Sequence, residues 1–182
     1  MIGVAAIVDL LRRSAADPYI GEPISQLEHA LQSAALASRA GAGDATIAAA
    51  LLHDIGHLCA SVDAPKMPGL GVTDHEHVGA RFLRDAGFSE DVVALVDGHV
   101  AAKRYLVATR PEYAAKLSDA SRATLALQGG PMSTAEVADF ERSPRMKDLL
   151  RLRAWDEQAK VVGWTGPDLD SWVPLLERLV TQ

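Results

Sequence analysis

The chain has little cysteine, few aromatic residues and no excess of positive charge. Its one cysteine, Cys59, cannot close an internal disulfide, so nothing points to a secreted, cross-linked scaffold. Aromatic residues make up only 5% of the sequence and strand-like alternation is scarce, which argues against a large sheet. The net charge of −6 disfavours a nucleic-acid backbone as partner. No apolar run reaches the ~20 residues needed to span a bilayer, so no membrane partner is expected. Met1–Leu11 is mildly apolar, carries Asp9 and lacks a basic leader region. It does not read as a signal peptide, and a cytoplasmic location is the default. What remains is an ordinary soluble composition, 48% hydrophobic and 23% charged, in 182 residues, enough for one domain with a proper core.

The apolar spacing is helical nearly throughout. A first amphipathic helix is expected over Ile2–Arg13, followed by a loop at Asp17–Pro23. Ser25 and Glu28 have capping-box spacing at the head of a second helix, which Gly41 and Gly43 end. Asp44 is expected to cap a third helix that carries His53 and Asp54. Ser61–Val72 holds Pro65, Pro68, Gly69 and Gly71 and reads as a long loop, a lid or pocket wall. Further helices are expected from Thr73 with Glu76, from Ser89, and from Pro111 through Gln128. Three more follow, from Ser133 with Glu136, from Ser143-Pro144 to Lys160, and after Pro167. The fold class is all-α, in one domain.

The awkward feature is His53-Asp54, set in the apolar run from Ala48 to His57. An adjacent histidine and aspartate in such a run need a charge partner or a metal to offset their desolvation. His29 precedes the pair, and His75, His99 and Asp156 follow it. Imidazoles with carboxylates suit Fe, Mn or Zn rather than a thiolate site. Taken alone, each histidine reads as a hydrogen-bonded core residue. The set does not, because all six histidines fall between His29 and His99 and several lie in apolar helices. His53 and His57 are four apart and would share a helix face, with Asp54 about 100° from His53.

The order His…His-Asp…His…His…Asp resembles the HD-domain superfamily, with the extended ligand set of its dinuclear members. Longer stretches resemble the phosphonate-cleaving HD-domain di-iron oxygenases. They are Tyr19-Ile20-Gly21-Glu22, Gln26-Leu27-Glu28-His29, Leu51–His57, His75–Ala80, Gly98–Leu106 and Arg153-Ala154-Trp155-Asp156. The resemblance implies a helical bundle over 1–182, with its metal-binding core at about 24–160. It implies His29, His53, Asp54, His75, His99 and Asp156 as ligands of two iron ions in an Fe(II)/Fe(III) pair, with Asp54 as the bridge. His77 is two residues from His75, about 200° around a helix, and reads as a surface or outer histidine.

A phosphonate needs cationic and hydroxyl donors. Lys103 follows His99 by one helical turn, Arg153 precedes Asp156 by one, and His57 follows His53 by one. By the resemblance these three, with Ser121 and Thr124, contact the phosphonate. Tyr19 reaches the iron when no substrate is present, and Glu22 meets the substrate's amine. As a residue, Glu22 could equally cap the chain before Ile24. Cys59 and Trp155 read as packing residues, and Gln128-Gly129-Gly130 as a helix stop.

The implied reaction is O2-dependent cleavage of the C–P bond of a 1-hydroxy-2-aminoethylphosphonate-type substrate. The products are phosphate and glycine, or glycine betaine from the N-trimethylated relative. Keeping both Tyr19 and Glu22 tilts the reading toward the free amine. A monomer acting on a small organophosphonate and O2 is expected. The alternatives are an HD-domain metal-dependent phosphohydrolase, a di-iron oxygenase of a polyol, and a scaffolding HD domain, which typically loses ligands.

Overall fold

The computed structural model describes residues 2–19, 21–61, 63–67 and 69–180. Among these, eleven α-helices run in chain order: α1 (Val4–Arg13), α2 (Gln26–Arg39), α3 (Asp44–Leu52), α4 (Ile55–Cys59), α5 (His75–Asp85), α6 (Glu90–Thr109), α7 (Pro111–Lys116), α8 (Asp119–Leu127), α9 (Thr134–Glu141), α10 (Met146–Gln158) and α11 (Val173–Leu179). The all-α class holds. The one sheet among the described residues is a two-stranded antiparallel hairpin, β1 (Lys66–Met67) with β2 (Gly71–Val72), inside the stretch expected as a loop. Ile20 of the Tyr19–Glu22 motif and Pro68 of that stretch lie outside the described residues.

The core comes from α2, α3, α5, α6 and α10, which pack on one another. Leu51, Leu52, Ile55, Leu83, Leu152 and Leu176 are almost completely buried in it. The helix α3 is apolar on every side, and helices α2, α6, α10 and α11 cover it. Both expected capping boxes form, Ser25 with Glu28 and Ser133 with Glu136.

Other boundaries differ from expectation, each for a local reason. The helix through His53-Asp54 is broken. His53 Nδ1 lies 2.9 Å from the Ala50 carbonyl, occupying the acceptor that would otherwise continue the helix, and Asp54 leaves helical geometry at φ −96°, ψ 8°. The helix expected over Pro111–Gln128 is two, because Ser118 caps α8 by accepting from the Ser121 N–H. Thr73 and Glu76 form no cap. Asp74 occupies the N-cap of α5 at φ +55°, and Glu76 is buried instead. Asp44 is the first residue of α3, not its cap, and α10 starts at Met146 and ends at Gln158.

Candidate metal centre

Five elements converge on one point. His29 comes from the first half of α2, His53 and Asp54 from the break between α3 and α4, His75 from the first position of α5, His99 from mid-α6 and Asp156 from α10. Close packing sets the spacing. A Cβ at Gly56 would lie 1.9 Å from the His75 carbonyl oxygen, so only glycine lets α4 meet α5 there, and Gly79 meets Gly56 from the other side.

The imidazoles form two pairs. Nε2 of His29 lies 3.1 Å from Nε2 of His53, and Nε2 of His75 lies 3.0 Å from Nε2 of His99. Nδ1 of His29, His53 and His99 sits against the carbonyls of Ala159, Ala50 and Val96 respectively. A carbonyl only accepts, so these Nδ1 atoms carry the protons and the Nε2 atoms present lone pairs. Between His29 and His53, facing lone pairs at this distance repel unless a cation lies between them, so the donor set fits metal ions. Asp54 divides between the pairs: Oδ2 is 3.4 Å from His53 and 3.7 Å from His29, and Oδ1 is 3.3 Å from His75 and 3.6 Å from His99. Each oxygen of Asp54 thus faces one histidine pair. Asp156 Oδ1 lies 3.5 Å from His29 Nε2, which adds a second carboxylate to the His29–His53 pair alone. All six residues expected as ligands are therefore brought together.

A cleft opens beside the centre. Of the residues expected to act on substrate, Tyr19, His57, Lys103, Ser121, Thr124 and Arg153 line it, and Glu22 does not. Lys103 Nζ donates to Thr124 Oγ1 at 3.0 Å. Burial, then repulsion from Arg153, lowers the Lys103 ammonium to about 8. Arg153 donates to the hydroxyl of Tyr113 at 2.8 Å and to the carboxylates of Asp156 and Glu157. These three bonds leave part of its five-donor fork free. Burial opposes the Arg153 charge, but Asp156, Tyr113 and Glu157 raise its pKa well above the usual value.

His57 stacks on His75 at 4.0 Å, and its Nδ1 accepts from the Val72 N–H of β2 at 3.1 Å. Burial and His75 lower it to about 4, so it is neutral with its proton on Nε2, a hydrogen-bond donor rather than the cation its spacing suggests. Tyr19 stacks on His29 at 3.9 Å and its hydroxyl donates to Asp156 Oδ1 at 3.4 Å. Glu22 pairs with Lys160 at 2.9 Å, and Lys160 stands in the cleft wall. His77 is exposed and paired with Asp97 at 2.7 Å, an outer residue as expected. Cys59 is half-buried, with burial raising its thiol to about 11, so it presents no reactive thiolate.

Four residues of the site escape sequence reasoning. Tyr113 and Glu157 orient Arg153 from α7 and α10. Lys160 holds Glu22. Gln128, read as part of a helix stop, lines the cleft with a buried Oε1 that has no partner. The only signal for Glu157 is its place four residues after Arg153 on one helix face.

Comparison with known proteins agrees with this geometry. Residues 27–132 match the HD domain. The chain is 40% identical over 177 residues, 97% of its length and 90% of the relative's, to the glycine-betaine-forming dioxygenase of 1-hydroxy-2-(trimethylamino)ethylphosphonate from Leisingera caerulea. It is 42% identical over 155 residues, 85% of its length and 77% of the relative's, to hydroxymethylphosphonate dioxygenase from Gimesia maris. An uncharacterized protein of Acanthamoeba polyphaga mimivirus is 40% identical over 180 residues, 98% of this chain and 82% of its own. The chain belongs to the HD-domain family, in the group that holds these phosphonate dioxygenases.

Proposed function

We propose that this protein is a di-iron oxygenase that cleaves the C–P bond of a 1-hydroxy-2-aminoethylphosphonate-type substrate, with a free or N-trimethylated amine. The observation that carries the reading is the pair of histidine pairs shared by Asp54, directly beside the Lys103–Arg153 cationic wall. In this reading His29, His53, Asp54 and Asp156 would hold one iron, and His75 and His99, with Asp54 shared, would hold the second. When bound, the irons supply Lewis-acid and redox chemistry toward O2.

The protein's own groups do the rest. Lys103 and Arg153 bind the phosphonate oxygens, with Ser121 and Thr124 adding hydroxyl groups. His57 donates its Nε2 proton to a substrate oxygen without adding charge. Tyr19 covers His29 and Asp156 until substrate enters. Glu22 attracts the cationic end of the substrate. The balance closes without a further reductant: substrate plus O2 gives inorganic phosphate plus glycine or glycine betaine. The four electrons that reduce O2 come from the C–H and C–P bonds broken at C1.

The test is turnover of iron-loaded protein under air with racemic 1-hydroxy-2-aminoethylphosphonate and its N-trimethyl analogue, following phosphate and oxygen together. Phosphate release matched mole for mole by oxygen uptake is the expected result. Phosphate-ester hydrolysis under anoxic conditions, with no oxygen uptake on either phosphonate, would instead make the protein a phosphohydrolase. Glu22→Ala is expected to raise KM while leaving bound iron unchanged.

A further inference from the structure

Glu22, proposed above to meet the cationic end of the substrate, already holds a cation. Lys160 Nζ lies 2.9 Å from Glu22 Oε1, and the two side chains are only 19% and 17% exposed, so solvent screens the pair little. Lys160 lines the cleft and Glu22 does not.

The backbone holds Lys160 in place on both sides. The carbonyl of Ala159 receives His29 Nδ1 at 2.9 Å. Val161 exchanges two hydrogen bonds with the buried Gln32 side chain, its N–H donating at 2.9 Å and its carbonyl accepting at 3.1 Å. Lys160 is thus fixed between two anchors on α2, one of them a residue of the metal centre. A surface lysine on a free loop has no such anchoring.

We infer that Lys160 is a specificity-determining residue: it neutralises Glu22, and a cationic substrate must displace it to reach the carboxylate. The inference rests on the phosphonate reading above. Its consequences depend on the end of the substrate remote from phosphorus. A substrate with no amine leaves the Lys160–Glu22 pair intact and bears no penalty. A primary ammonium replaces Lys160 with N–H donors of the same kind, so the charge-assisted bond is exchanged rather than lost. A trimethylammonium offers no N–H donor and recovers only the Coulombic part. Lys160 therefore ranks substrates, favouring an uncharged end over a primary amine and a primary amine over a quaternary one.

The experiment compares wild-type protein with Lys160→Met, which keeps the length of the side chain and removes its charge. The substrates are hydroxymethylphosphonate, 1-hydroxy-2-aminoethylphosphonate and its N-trimethyl analogue. Each is read as KM and kcat, or as Ki where a compound binds without turnover. The expected result is a fall of about fivefold in KM for both cationic compounds. Hydroxymethylphosphonate keeps its wild-type constant, which also shows that the variant is folded. In a Glu22→Gln background the same Lys160→Met change should give no gain, as a coupled pair requires. An equal shift for all three compounds would place Lys160 on the phosphonate instead and overturn the inference, as would no shift for any. Wild-type protein that neither binds nor turns over any of the three phosphonates would fail the functional reading itself, and this inference with it.

Discussion

The carboxylate of Glu76 lies 3.5 Å from Nδ1 of His75, and each of these buried atoms lacks a hydrogen-bond partner. The other three imidazoles of the centre turn Nδ1 toward a backbone carbonyl, which is neutral. His75 alone faces a carboxylate. A metal drawing on Nε2 of His75 would sharpen the Nδ1–H as a donor, and Glu76 stands ready to receive it. The two histidine pairs therefore differ in their outer partners as well as in Asp156. Glu76→Gln should keep the fold and weaken metal binding at the His75–His99 position about 10- to 100-fold. Metal analysis after dialysis would show this as loss of about one of two irons. Full retention of both would show that Glu76 does not support His75.

Asp54 faces both histidine pairs with one oxygen each, so in the proposed reading its removal should not produce a protein with one intact site. Asp54→Ala is expected to lose both irons and all phosphate-releasing activity while its circular dichroism stays helical. Retained activity in this variant would remove the basis for the site.

How much of this was legible beforehand depends on how far each feature reaches across the fold. The ligand residues could be read because polar side chains stand out in apolar helices, as His29 and His53 do in α2 and at the end of α3. The turn that aims Asp54 could not, since it depends on His53 bonding back to Ala50 rather than on the helical periodicity of Ala48–His57. Ser118 did carry a cap signal, and reading Pro111–Gln128 as one helix passed over it. Lys160, Tyr113 and Gln128 look in sequence like a surface charge, an unplaced aromatic and a helix stop. Lys160 and Tyr113 take their roles from partners 138 and 40 residues away, and Gln128 takes its own from burial in the folded cleft; no local pattern records such contacts.

Lys103 gives the pH dependence. Burial and Arg153 bring its ammonium down to about 8, whereas an exposed lysine stays charged to near 10.4. The charged form binds a phosphonate and dominates below that value. kcat/KM, which reports the free protein, should therefore be level below pH 8 and fall about tenfold per pH unit above it. Lys103→Arg should lose this alkaline limb, because a guanidinium stays charged throughout the range. A limb that persists in the arginine variant would belong to another group.

Gly56 offers the sharpest test of how the fold holds the site. A Cβ there would meet the His75 carbonyl oxygen at 1.9 Å and the Gly79 nitrogen at 2.9 Å, both backbone atoms that no side-chain rotation can move. Gly56→Ala must therefore push α4 away from α5. Asp54 lies two residues before Gly56 and His75 supplies the contact itself, so the displacement opens the distance between the Asp54 carboxylate and one histidine pair. Overpacking of this kind costs about 3 kcal/mol. For a chain of this length that is roughly 6–12 °C in Tm. The same variant should bind iron poorly even at temperatures where it remains folded, and added iron should restore less stability than it gives the wild type. Measuring Tm with and without iron separates the two effects. A variant that loses stability yet gains as much from iron as the wild type would show that the α4–α5 contact supports the fold without setting the metal centre.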